Sequence, residues 1–453
     1  MDFLMSIWKI GRNKMINYRW LMYLLPSLLV FTIGCEDKEV TEEPNINSTI
    51  STPTEYEFDS RFNEGSSVSY SGQTVRNMLL TDLKTMTDYP GSEIGHPIAL
   101  INMTNIYDYS DDLDLTSWMS TTPSPLERNY SNISTGKNLS GKTDSGLIHG
   151  YDKTADELVR EWMQNIATNC ENYDNVASYL AITSSEGLNL SQMINKTLLG
   201  AVSYSQGTSN YLGGLSDDDN LEPKSEADAY TEMEHHWDES FGYFGAARDY
   251  NTGYVDDEDK KNDPYYDSNA DGSIDFKSEY NFGLSVNAAK RDLGAADGLV
   301  DFTKVIFDAY LEGRTLIHNQ APLDEILVQR DIIVNNWEKV IASTVVHYVN
   351  DVTSDMAALY QADTTAGPLS IASATLNIHW AEMRGFTIAL QYNDMKLISD
   401  ADLMTLAITM GKAPVYPESG ETEFYTYHGQ LLSTVKTILQ NAYGFSDANM
   451  DDW

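Results

Sequence analysis

One eight-residue pattern occurs twice in this chain. His236-Trp237-Asp238-Glu239-Ser240-Phe241-Gly242-Tyr243 aligns with His379-Trp380-Ala381-Glu382-Met383-Arg384-Gly385-Phe386, so that HWxExxG followed by an aromatic residue repeats 143 residues apart (379 minus 236). With only 8 His and 8 Trp in 453 residues, the second copy reads as the remnant of an internal duplication. On a helix, positions i, i+3 and i+7 share a face, which sets His236, Glu239 and Tyr243 in one row and His379, Glu382 and Phe386 in another. Trp237, Phe241 and Phe244 make an adjacent apolar stripe. A glycine inside a helix costs about 1 kcal/mol relative to alanine, so Gly242 and Gly385 at matched places predict the close approach of another helix. The expected fold is therefore all-α: duplicated helical bundles with long loops, each half contributing one motif helix to a shared middle.

Apolar periodicity extends this reading to helices over Val75 to Met86, Thr154 to Ala167, Leu190 to Val202, Ala227 to Arg248, Leu323 to Val352, Ile371 to Tyr392 and Glu423 to Ala442. Within Leu323 to Val352 the apolar residues are dense enough to predict a central helix buried on more than one side. The stretches Tyr107 to Ser145 and Tyr250 to Tyr280 are long for connectors, and the sequence leaves binding surface and disorder both open for them.

At the N-terminus, Arg12, Lys14 and Arg19 precede an apolar run from Leu21 to Ile33 that ends at Gly34-Cys35. This is the layout of a secretory signal, and a small residue before Cys is what lipoprotein processing requires, so Cys35 is the expected lipidation site. The expected organisation is a signal peptide over 1–34, a lipidated Cys and flexible acidic tether over 35–62, and a helical domain over 63–453. That domain divides into half one at about 63–250, an acidic loop at 251–280 and half two at about 281–453. Glu36, Asp37, Lys38 and Glu39 read either as a sorting signal for the outer membrane or as plain linker. With Cys35 lipidated, Cys170 has no partner for a disulfide, and packing must hold an exported fold together. The net charge of −39, from 68 Asp and Glu against 29 Lys and Arg, argues against nucleic-acid binding.

Two imidazoles and two carboxylates meeting across a pseudo-twofold axis, His236 and Glu239 with His379 and Glu382, can bind iron or zinc. The competing reading is a hydrogen-bonded His–Glu network that only ties helices together. The HExxH spacing of zinc peptidases is absent. The HxxE motif, its second copy and the continuation Phe244-Gly245-Ala246-Ala247 resemble the imelysin-like proteins, and more closely a group of Bacteroidota lipoproteins of unassigned function related to them; the tail Ala442-Tyr443-Gly444-Phe445 adds to the likeness. The resemblance covers most of the chain after about Tyr70. It implies two helical bundles, an envelope location and an association with iron or haem uptake, centred on His236 and Glu239 directly and on His379 and Glu382 through the repeat. The pattern departs from the family at Glu234, where a glycine often stands two residues before the His.

A second candidate site is the acidic run Asp267-Ser268-Asn269-Ala270-Asp271-Gly272-Ser273-Ile274-Asp275, which reproduces the first nine positions of a calcium loop with ligands expected from Asp267, Asn269, Asp271, Ser273 and Asp275. Its closing acid is displaced: position twelve is Ser278, and Glu279 follows it. Taken together, the expected function is a non-enzymatic envelope lipoprotein that binds iron, zinc or haem, and calcium in the loop, held to the membrane by its lipid and working with an outer-membrane receptor or transporter. The alternatives are a surface glycan-binding lipoprotein and, behind it, a zinc peptidase.

Overall fold

Helices begin where side chains satisfy otherwise free backbone amides. The computed structural model describes residues 49–88, 100–172, 178–296, 298 and 300–453, so Cys35, the signal-like stretch and the first half of the expected tether lie outside it. The main helices are α1 (Ser71–Asp88), α2 (Leu100–Tyr107), α3 (Ala155–Glu171), α4 (Leu190–Leu198), α5 (Glu232–Phe244), α6 (Gly283–Leu293), α7 (Phe302–His318), α8 (Leu323–Ala362), α9 (Ala374–Ala389), α10 (Asp400–Met410), α11 (Glu421–Gln430) and α12 (Asp447–Asp452). Thr154 with Glu157 and Thr231 with Glu234 form reciprocal capping boxes that start α3 and α5. Gly245, at φ 79°, ends α5, so the helix expected over Ala227 to Arg248 is shorter at both ends. Among the described residues no strand forms, only isolated bridges, and the all-α expectation holds.

Helix α8 is the central one: it starts directly after Pro322 and is buried all round from Val340 to Val346. Helix α4 does not stop at Leu198 but runs on with π-helical backbone over Leu199–Tyr204 and Gln206–Leu212. Its α-helical part packs on α9 and its π-helical end on α5. The two motif helices thus share one long neighbour, and half one and half two interlock within a unit that spans Pro44–Trp453.

The folded body begins earlier than position 63. Tyr56 and Phe58 are buried in the core, Tyr56 stacks on Phe241 at 3.8 Å between centroids, and the Arg61 Nε donates to Glu234 at 3.1 Å. Two large aromatic rings and a buried ion pair anchor a stretch whose polar composition had suggested a tether. The two long loops are also tied to each other, because Leu126 N donates to Ile274 O at 2.9 Å and Ile274 N to Ser124 O at 3.1 Å, with Ile274 fully buried.

Candidate functional site

Each motif helix presents its residues to two environments. Toward the core, Trp237 lies against Gly313 and donates from Nε1 to Tyr310 O at 3.0 Å, while Trp380 donates to the Tyr427 hydroxyl at 2.6 Å. The glycines mark close crossings as expected: a Cβ on Gly242 would sit 2.7 Å from Tyr70 Cβ of the chain leading into α1, and one on Gly385 would sit 2.6 Å from Lys196 Cβ of α4.

The polar face differs from expectation. His236 is paired through Nδ1 with Asp218 Oδ2 at 2.7 Å, and its ring centroid lies 5.4 Å from that of Tyr211. Glu239 turns elsewhere: it accepts from Gln73 Nε2 at 2.7 Å and the Tyr211 hydroxyl at 3.2 Å, and its histidine neighbour is His235, one turn back, at 3.6 Å. In the second copy His379 Nδ1 pairs with Asp355 Oδ2 at 2.8 Å, and Tyr348 lies 6.0 Å from the His379 ring. Glu382 is paired with Lys196 at 3.4 Å.

The repeat is therefore larger than eight residues. Tyr211 and Tyr348, and Asp218 and Asp355, occupy matched places with the same displacement of 137 (348 minus 211, 355 minus 218). In each copy an Asp fixes the imidazole and a Tyr ring leans on it, the arrangement by which a carboxylate orients a histidine and leaves Nε2 available. Tyr-x6-Asp is too common a spacing to have been singled out without the contacts.

The two copies do not share a middle. Among the described residues no hydrogen bond, ion pair or ring contact joins His236 or Glu239 to His379 or Glu382. The common helix explains it: Lys196 and Tyr211 are fifteen positions apart on it, roughly 20 Å at helical rise. Flanking charges also separate them. In half one, Asp218, Glu232 and His236 bring one ligand atom each within 4.8 Å of one another, all three partly exposed. In half two, Lys196 stands where Gln73 stands in half one, against the matching glycine. The Asp355 hydrogen bond, helped by the charges of Asp355, Asp351 and Glu382, holds the His379 imidazole above its ordinary value. Burial, with Arg291, His379 and Lys290 nearby, pushes His347 down to about 3.

Glu234, the departure from the family pattern, faces away from this site. It is buried between Arg61 and Arg314, and burial notwithstanding, the two guanidiniums hold its carboxyl below the ordinary range.

The acidic loop spends its oxygens on its own backbone. Asp267 accepts from the amides of Asp271 and Gly272, Asn269 Oδ1 from Asp271, Asp271 from Ser273, and Asp275 from Lys277. Glu279 is buried and accepts from Ser268, Asn269 and Asp275, closing the loop from inside.

A family model described as Domain of unknown function (DUF4856) matches residues 53–393, three quarters of the chain. The chain belongs to the DUF4856 family. No curated protein and no solved structure matches it. The DUF4856 match begins three residues before Tyr56 and takes in both motif copies with the Asp and Tyr partners of both histidines, while α10 to α12, with the Tyr427 partner of Trp380, lie beyond it.

Proposed function

We propose that this protein is an extracytoplasmic lipoprotein that binds a single divalent transition-metal ion on the half-one motif, through His236, Asp218 and Glu232. The observation that carries the reading is the convergence of one imidazole and two carboxylates within 4.8 Å at a partly exposed position. One nitrogen and two oxygen donors suit iron(II), zinc or manganese and leave coordination positions open for water or a delivered ligand. Glu232 and His236 stand one helical turn apart on α5, and Asp218 comes from the segment before it, so the site is preformed by the capped start of that helix. Glu239, with its Gln73 and Tyr211 bonds, supports the ring of Tyr211 that packs on His236 and is not itself a ligand.

On this reading the second copy has diverged. Lys196 neutralises Glu382, and Asp355 engages His379 without a second carboxylate, among the described residues, close enough to complete a set. The imelysin-like relation, the lipid at Cys35 and a role beside an outer-membrane receptor in iron or haem uptake belong to the same proposal, supported by the Gly34-Cys35 signal pattern.

Elemental analysis of the purified chain tests it. The expected result is about one equivalent of iron, zinc or manganese per chain, lost in His236→Ala and in Asp218→Asn and kept in His379→Ala. Two equivalents, or a metal content that follows His379, would overturn the assignment.

A further inference from the structure

A cleft of about 260 Å³ opens where α1 and α4 face the start of α6. In a chain with more than twice as many acids as bases, its wall holds Lys196 and Lys290 and no carboxylate. Asn195, Asn281, Phe282 and Gly283 complete the part of the wall that matters here.

Two features make this wall electropositive. Helix α6 begins in it, with no side chain capping its first amides and no acid in its first turn, so the positive end of the helix is uncompensated there. Lys196 is shared with Glu382, whereas Lys290 has no ion-pair partner among the described residues.

Asn281 points to a ligand independently of charge. It is 1% exposed, and its Oδ1 accepts from Ala247 N at 2.7 Å, which fixes the orientation of the amide. Nδ2 is then a buried donor with no hydrogen-bond partner. The Tyr254 hydroxyl is near enough to feel this amide but is itself without a hydrogen bond. A buried donor left open beside a cleft is stabilised when an acceptor enters.

We propose that the cleft binds a small oxyanion, a phosphate or carboxylate group, held by Lys196, Lys290 and the first amides of α6, with Asn281 Nδ2 donating to it. The arrangement is the helix-terminus anion site with two cations added. It lies apart from the metal triad and does not depend on it.

The test is calorimetric titration of metal-stripped protein with inorganic phosphate and, separately, with citrate, at constant ionic strength. Saturable binding of either anion is expected, about tenfold weaker or worse in Lys290→Gln and restored in Lys290→Arg. Lys290 is exposed on its helix, so both variants should fold, and unchanged circular dichroism checks this. No saturable heat with either anion up to about 10 mM, or equal affinity in Lys290→Gln, overturns the proposal. Because the titration is done without metal, its failure leaves the half-one site unaffected.

Discussion

Arg314 is fully buried and serves two carboxylates on α5: Nη1 donates to Glu234 at 3.0 Å, Nε to Asp238 at 2.9 Å, and Nη2 goes to Ser67 at 2.8 Å. Its partners respond differently. Burial raises Asp238 to about 6 against the pull of Arg314, whereas Glu234 also has Arg61 and stays below its usual range. Removing the guanidinium leaves Asp238 without a counter-charge and Glu234 with Arg61 alone, so Arg314→Met should lower stability by about 3–5 kcal/mol in urea unfolding. A loss below 1 kcal/mol would mean that water reaches the site. Asp292 offers a pH prediction. Burial raises it to about 7, although it accepts from the amides of Phe302 and Thr303 at the start of α7. The folded state therefore holds this proton from the unfolded carboxyl range up to about pH 7, and stability falls as pH rises through that window. The wild type should lose up to about 1 kcal/mol per pH unit there relative to Asp292→Asn, read from unfolding curves between pH 4.5 and 8 as an order-of-magnitude range. Parallel pH profiles would show that Asp292 ionises normally.

At the scale of the element, glycines decide how close helices come. Gly242 lies under Tyr70 and Gln73, whose Cβ atoms would be 2.7 and 2.9 Å from an added methyl. Alanine there gains helix propensity of about 1 kcal/mol but forces α1 away, and a net loss of about 1–3 kcal/mol is expected. Gly429 in α11 has nothing within 4 Å, so Gly429→Ala should stabilise by about 0.5–1 kcal/mol. Thermal melting of the two variants should therefore shift in opposite directions, and shifts of the same sign would contradict the close crossing. The π-helical run after α4 has a comparable local consequence, since it carries Tyr211 to the place where its ring meets His236 and its hydroxyl meets Glu239.

For the molecule as a whole, charge is the dominant long-range term. A net charge of −39 repels itself in the compact state, and salt screens that repulsion over about 10 Å at 0.1 M. Raising sodium chloride from low to half-molar concentration should increase unfolding free energy by about 1 kcal/mol or more, even though the exposed pairs such as Arg160 with Asp108 weaken. A decrease would mean that ion pairs outweigh net repulsion. The same scale explains why the long loops are ordered: Ile274 is buried and bonded to the segment around Ser124 to Leu126, so each loop supplies the other with an apolar contact and backbone partners.

Periodicity alone located α1, α3, α8, α9 and the α11 region to within a few residues at most ends, because an amphipathic pattern reports burial directly. It missed α2, α6, α7, α10 and α12 and the end of α8 at Ala362, where the apolar stripe is short or masked by polar neighbours. The motif glycines and tryptophans were legible for a similar reason, since their packing role follows from residue type and helical position. The polar face was not. A histidine at i and a glutamate at i+3 share a side of the helix, yet His236 and His379 take Asp218 and Asp355 from other segments, and Glu239 and Glu382 take Gln73, Tyr211 and Lys196. The sequence by itself determined that this chain is helical, duplicated and packed through matched glycines. Which charges meet was decided by the tertiary structure alone, because a hydrogen bond or an ion pair depends on atoms a few ångströms apart that the chain brings together from other segments, 18 residues away for Asp218 and 166 for Gln73.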